Sequence, residues 1–151
     1  MAITRKLFRP PLKLEDGTRL MCGDHALMAL TGKTPEQCWR SMANAGIDLK
    51  VSHRSGLYLH EIVTCLNHMG FSAKRIFINH LYDGTKPPTF AKWIRERRGL
   101  ETKKTYLLMT TNHFMLVSGN RFSDNHAGEC HVDDAPHKRS RILSVMEIKG
   151  K

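Results

Sequence analysis

The feature that most limits how this chain can fold is a change of apolar period near residue 70. Before it, three segments carry apolar residues at helical spacing and each runs into a glycine: "CGDHALMALTG" closes on Gly32, "TPEQCWRSMANAG" on Gly46 and "LYLHEIVTCLNHMG" on Gly70. After it, "FSAKRIFIN", "TYLLMTT", "HFMLVSG", "RFSDN" and "RILSVMEI" read as strands, interrupted by one further helix, "TFAKWIRER". Helices followed by strands joined through short turns predict an α+β fold, with N-terminal helices packed on a mostly antiparallel C-terminal sheet.

Local signals sharpen the helices. Thr34, Pro35 and Gln37 form a capping-box start, and Thr89 is placed to cap "TFAKWIRER". The predicted inward faces are Ala26, Leu27, Ala29 and Leu30; then Cys38, Trp39, Met42 and Ala45; then Leu59, Ile62, Val63, Leu66 and Met69. The length of 151 residues suits one domain with its own core. The expected organisation is a basic arm over residues 1–17, containing Pro10-Pro11, followed by a single domain over 18–151. No apolar run reaches the length of a membrane span, and the N-terminus lacks the apolar stretch of a secretory signal. The four cysteines are widely spread and fall mostly in apolar patterns, so they read as free thiols rather than a disulfide framework.

Cys22 is the exception in placement. It stands at the front of the first helix, where unpaired N–H groups and the positive end of the helix dipole favour a thiolate. Cysteine is also among the most buried residue types, so position alone favours packing, and a reactive role needs a partner. "HFMLVSGNRFSDN" supplies one. His113 begins a strand, the Gly119-Asn120 turn folds the chain back, and Asp124 or Asn125 returns to the level of His113. A side-chain oxygen there would fix one imidazole nitrogen and leave the other to take a thiol proton. A one-residue change of hairpin register exchanges Asp124 for Asn125.

At these residues the chain resembles the papain-like cysteine peptidases, and more narrowly small phage and prophage proteins similar to the peptidases that process bacteriocin leaders at a double glycine. The resemblance runs over residues 18–127 through "CGDHALMALTG", "TPEQCW", "EIVTCLNHMGF", "TFAKWIRER" and "HFMLVSGNRFSDN". It implies a papain-like fold and a thiol hydrolase, peptidase or amidase, with Cys22 as nucleophile, His113 as base and Asp124 as third member, Asn125 being the alternative. It further implies a peptide or protein substrate, no cofactor, and a place in the virion or host cytoplasm. Two positions depart from the family. Asp16 stands six residues before the cysteine, where an amide usually helps to hold the oxyanion, and loss of one such donor typically costs about 10²–10³ in rate. Met21 stands where the phage-type members have Asp.

Two other readings compete. With 24 Lys and Arg against 14 Asp and Glu, the net charge is +10, which suits an acidic partner. Arg5, Lys6, Arg9, Lys92, Arg95 and Arg98 are candidates for polyanion binding, and a catalytically weak member could dock through them on capsid, tail or packaged DNA. Low aromatic content, 7%, gives little support to stacking on single-stranded bases. Cys22, His25, Cys130 and His131 offer a zinc-like ligand set, but without paired Cys-x-x-Cys spacing no metal site is assigned. His126, Asp133, Asp134 and His137 read as a solvated polar loop.

Overall fold

The computed structural model describes residues 7–10, 21–48, 57–78, 86–96, 104–111 and 113–150. Its elements run α1 (Cys22–Thr31), α2 (Pro35–Asn44), α3 (Leu59–His68), β1 (Phe71–Ile78), α4 (Phe90–Glu96), β2 (Thr105–Thr110), β3 (His113–Ser118), β4 (Arg121–Asp124), β5 (Gly128–His131), a 3-10 turn (Val132–Asp134) and β6 (Ser144–Gly150). The six strands form one antiparallel sheet in the order β1-β6-β2-β3-β4-β5. The α+β expectation is met.

Helix boundaries follow local chemistry. Gly32 adopts φ 74°, and its N–H donates to the Met28 carbonyl, the left-handed stop that an L side chain would resist. Thr34 and Gln37 exchange the two bonds of the capping box, with Pro35 in the first turn. Glu61 accepts from the Tyr58 N–H at the start of α3, and Thr89 accepts from the Lys92 N–H at the start of α4.

The central strands of the sheet are covered on both faces. Helices α1 and α3 lie against one, with α2 behind them, and Leu27, Leu30, Ile62 and Leu66 meet Leu107, Phe114, Leu116, Met146 and Ile148. On the other face, Phe90 and Trp93 of α4 and the 132–142 connection meet Tyr106, Leu108, Met115, Val117, Phe122 and Val145. Double coverage explains why β2 and β3 read as continuous apolar runs rather than strict alternation.

Three features differ from the sequence expectations. The first helix has no solvent face: Gly23 through Leu30 are all buried, including Asp24 and His25. The segment at residues 7–10, placed in an extended arm, is docked instead. Leu7 is 2% exposed within the core, and the Phe8 N–H donates to the Ala29 carbonyl. The stretch at residues 128–131, between the residues read as a solvated polar loop and not itself assigned to a strand, is strand β5, paired with β4 from Arg121↔His131 to Asp124↔Gly128.

Candidate active site

Cys22 is the first residue of α1, preceded by an extended Met21 whose side chain makes no cap. The first-turn N–H groups are therefore directed at the position the thiol occupies. The next residue is glycine for a packing reason: a Cβ on Gly23 would lie 3.0 Å from the Leu57 Cβ. Cys22 is partly exposed, whereas burial encloses Cys38 and Cys65 and pushes their thiols up to about 11 and about 12. Burial also raises Cys130. Those three are poor sources of thiolate.

His113 and Asp124 meet because of sheet register. The ladder pairs Val117 with Phe122 and Leu116 with Ser123, so the next step places Asp124 opposite Met115, on the same side as His113 and one diagonal away. Asn125 has the opposite parity and lies in the turn. His113 Nε2 is 2.9 Å from Asp124 Oδ2, and the Asp124 side chain is wholly enclosed. Its other oxygen, Oδ1, accepts the backbone N–H groups of His126, at 3.1 Å, and Ala127, at 2.7 Å. The carboxylate is thus held from behind by its own turn.

These contacts set the charge. Burial works against the His113 imidazolium, but hydrogen bonds to Asp124 and to the Cys22 side chain outweigh it and push His113 up to about 9. Burial works against the Asp124 carboxylate too, but its hydrogen bonds from His113 and from the Ala127 N–H hold it below the usual carboxylate range. With Nε2 committed to Asp124, Nδ1 is the nitrogen left for Cys22.

The turn and loop read as solvated from the sequence contribute further imidazoles. His137 Nε2 lies 3.2 Å from the same Asp124 Oδ2, and His137 has φ 65°. The His126 ring stands 5.1 Å from His113 and 5.8 Å from His137. No sequence pattern marks His137, because its link to Asp124 depends on how the connection after β5 folds back. His25 is buried in α1, with Nε2 3.4 Å from Ser123 Oγ. Burial, reinforced by the His113 charge and opposed by Asp124, lowers it to about 4, so it is neutral.

The structure does not assemble Cys22, His25, Cys130 and His131 into a ligand set. Among the described residues, the potential metal-holding group is His113, Asp124 and His137. Of the basic candidates, Arg9 pairs with Glu129, which Arg121 also holds at 3.0 Å. Lys92 lies 3.8 Å from Glu96, and Arg95 is exposed. Arg5, Lys6, Arg98 and Asp16 lie outside the described residues.

A cysteine at a helix start, set against a histidine and a carboxylate on an antiparallel sheet, goes with a cysteine peptidase-like fold, and comparison with solved structures shows that fold for this chain. The chain is similar to a double glycine motif protease from an AMS/PCAT transporter, solved in complex with the leader peptide. The TM-score is 0.54 at 17% identity, over 99% of this chain and 97% of that one. No family model and no curated protein matches the sequence.

Proposed function

We propose that this protein is a cysteine peptidase in which Cys22 is the nucleophile, His113 the proton shuttle and Asp124 the group that orients it. The observation that carries the reading is the His113–Asp124 bond at 2.9 Å, with the Cys22 side chain, at the start of α1, also hydrogen-bonded to His113. In this reading the Cys22 thiolate adds to a peptide carbonyl carbon, and first-turn N–H groups of α1 face the developing oxyanion. The C–N bond then breaks as His113 Nδ1 gives its proton to the leaving amine. Water attacks the thioester, returning a proton to His113 and releasing the acid and the Cys22 thiolate.

The substrate class is a peptide. Support comes from the neighbour of the same fold, which was solved with its leader peptide. The sequence resemblance over residues 18–127 supports the narrower reading of a phage or prophage protein acting in the virion or host cytoplasm.

The test combines cleavage of synthetic leader-like peptides carrying a Gly-Gly motif with iodoacetamide labelling followed by mass spectrometry. Cys22→Ala is expected to abolish cleavage, and wild-type Cys22 to label well ahead of Cys65, with His113→Ala removing that advantage. Equal labelling of Cys22 and Cys65, or an advantage that survives His113→Ala, refutes the coupling on which the reading stands.

A further inference from the structure

We infer that His113, Asp124 and His137 form a binding site for a divalent transition-metal ion of the zinc type. Under the catalytic reading above, on which this consequence rests, the bound ion switches the peptidase off.

The geometry comes from one carboxylate oxygen. Asp124 Oδ2 has His113 Nε2 at 2.9 Å and His137 Nε2 at 3.2 Å, and the three ligand atoms all lie within 4.8 Å of one another. An ion bound at 2.0–2.2 Å by imidazole nitrogen and carboxylate oxygen in a tetrahedral site separates its ligands by roughly 3.3–3.6 Å. The two nitrogen–oxygen separations therefore need to open by only a few tenths of an ångström, and the two histidine ligand atoms, within 4.8 Å of each other, need to draw together to that range. Two imidazoles and a carboxylate form a donor set suited to zinc-like ions, with a fourth position left for water.

The support around the site is also built. Asp124 Oδ1 is tied to the N–H groups of His126 and Ala127, so Oδ2 is presented in one orientation, the kind of outer bonding that orients metal-binding carboxylates. His137 is the only non-glycine among the described residues with positive φ, a conformation that costs free energy and needs the surrounding structure to maintain it. An imidazole present only to help fill a solvated loop gives no reason for that conformation; one aimed at Asp124 does.

The consequence concerns which nitrogen of His113 carries the proton. In the working peptidase Nε2–H donates to Asp124, and Nδ1 exchanges a proton with thiol and leaving amine. A metal on Nε2 replaces that hydrogen: from the imidazolium the Nε2 proton leaves to solvent, and from the neutral ring it is relocated to Nδ1. Either way Nδ1 carries a hydrogen, so His113 cannot take the thiol proton, and as a metal-bound neutral imidazole it is a far weaker acid toward the leaving amine than the imidazolium. The ion acts without touching Cys22.

The experiment titrates ZnCl2, and CoCl2 as a spectroscopic substitute, into the full chain. Calorimetry is expected to give one ion per chain, and the cobalt form tetrahedral visible bands with no thiolate charge-transfer band. Nitrogen-15 spectra should show the His113 proton fixed on Nδ1. His137→Asn, which tolerates positive φ but is too short to reach Asp124, should weaken zinc affinity about 100-fold or more, while Cys22→Ser keeps it. His137→Gly, freely compatible with the backbone, serves as the second variant and should behave like His137→Asn.

No one-to-one binding, or affinity that survives both His137 variants, overturns the site. A cobalt–thiolate band together with loss in Cys22→Ser also overturns it, by placing the ion on the thiol. Zinc binding is read without turnover, so a protein that binds zinc but cleaves nothing when the zinc is removed refutes the peptidase reading alone. Full cleavage by the zinc-loaded protein refutes the off-switch.

Discussion

Replacing Asp124 by Asn tests the site most directly, because the surrounding donors dictate how the new side chain must sit. Two backbone N–H groups, from His126 and Ala127, converge on Oδ1, so the amide oxygen has to occupy that place. The NH2 group then faces His113 Nε2, where the oxygen stood 2.9 Å away, and N–H would confront N–H. His113 relieves the clash by carrying its proton on Nδ1, toward Cys22, the wrong nitrogen for a base. The bonds to Asp124 and Cys22 hold His113 near 9 rather than 6.5 against the opposing effect of burial, a net difference of about 3 kcal/mol shared between the two partners. Tautomer reversal of this kind costs about 10⁴ in rate in a serine-protease triad, and a loss of that order is expected here. The assay is initial-rate cleavage of a Gly-Gly peptide, beside thermal melting to show that the nearly isosteric change leaves the fold standing. Asn125→Ala, in the turn just after β4, is the control and should retain activity. A folded Asp124→Asn protein that cleaves within about tenfold of wild type refutes the proposed role of the carboxylate.

Three further outcomes follow from packing and charge. His25 is neutral in the fold, with its ordinary value of 6.5 lowered to about 4, so only the unfolded chain gains a proton between those values. The His25 contribution is therefore nil above about pH 6.5 and costs up to about 3 kcal/mol on acidification toward pH 4. His25→Gln should flatten that part of the denaturation profile, and an unchanged slope contradicts the buried neutral imidazole. Leu7→Ala should cost about 2–5 kcal/mol in urea unfolding, since Leu7 is 2% exposed within the core, while an effect under about 0.5 kcal/mol contradicts docking of residues 7–10. Gly32→Ala should lower the melting temperature, because the residue has φ 74° and an added Cβ would lie 2.9 Å from the Phe8 ring; unchanged melting refutes that close packing.

What could be read from the sequence was local chemistry. The capping box at Thr34, the stop at Gly32 and the placement of Cys22 in the first turn each depend on neighbours within a few residues, and the structure has all three. The His113 hairpin was legible as well, because Gly119-Asn120 marks its turn. Choosing Asp124 over Asn125 as the His113 partner was not, since that depends on strand parity, which the observed ladder supplies. Long-range placement explains the remaining differences. Leu7 looked like one apolar residue in a basic arm, Gly128–His131 lacks an apolar alternation to announce β5, and His137 reaches Asp124 only through the return of the chain after that strand.

The complete enclosure of α1 has a consequence for how the protein breathes. Gly23 to Leu30 have no water-facing side, being packed among α2, α3 and the sheet. Amide protons in this helix can meet solvent only when the core itself comes apart, so their slow exchange should report the free energy of whole-molecule opening rather than local fraying. The same holds for the position of Cys22. As the first residue of α1 it is anchored by the enclosed turns that follow, so in the proposed peptidase the direction of thiol attack would be set by the core.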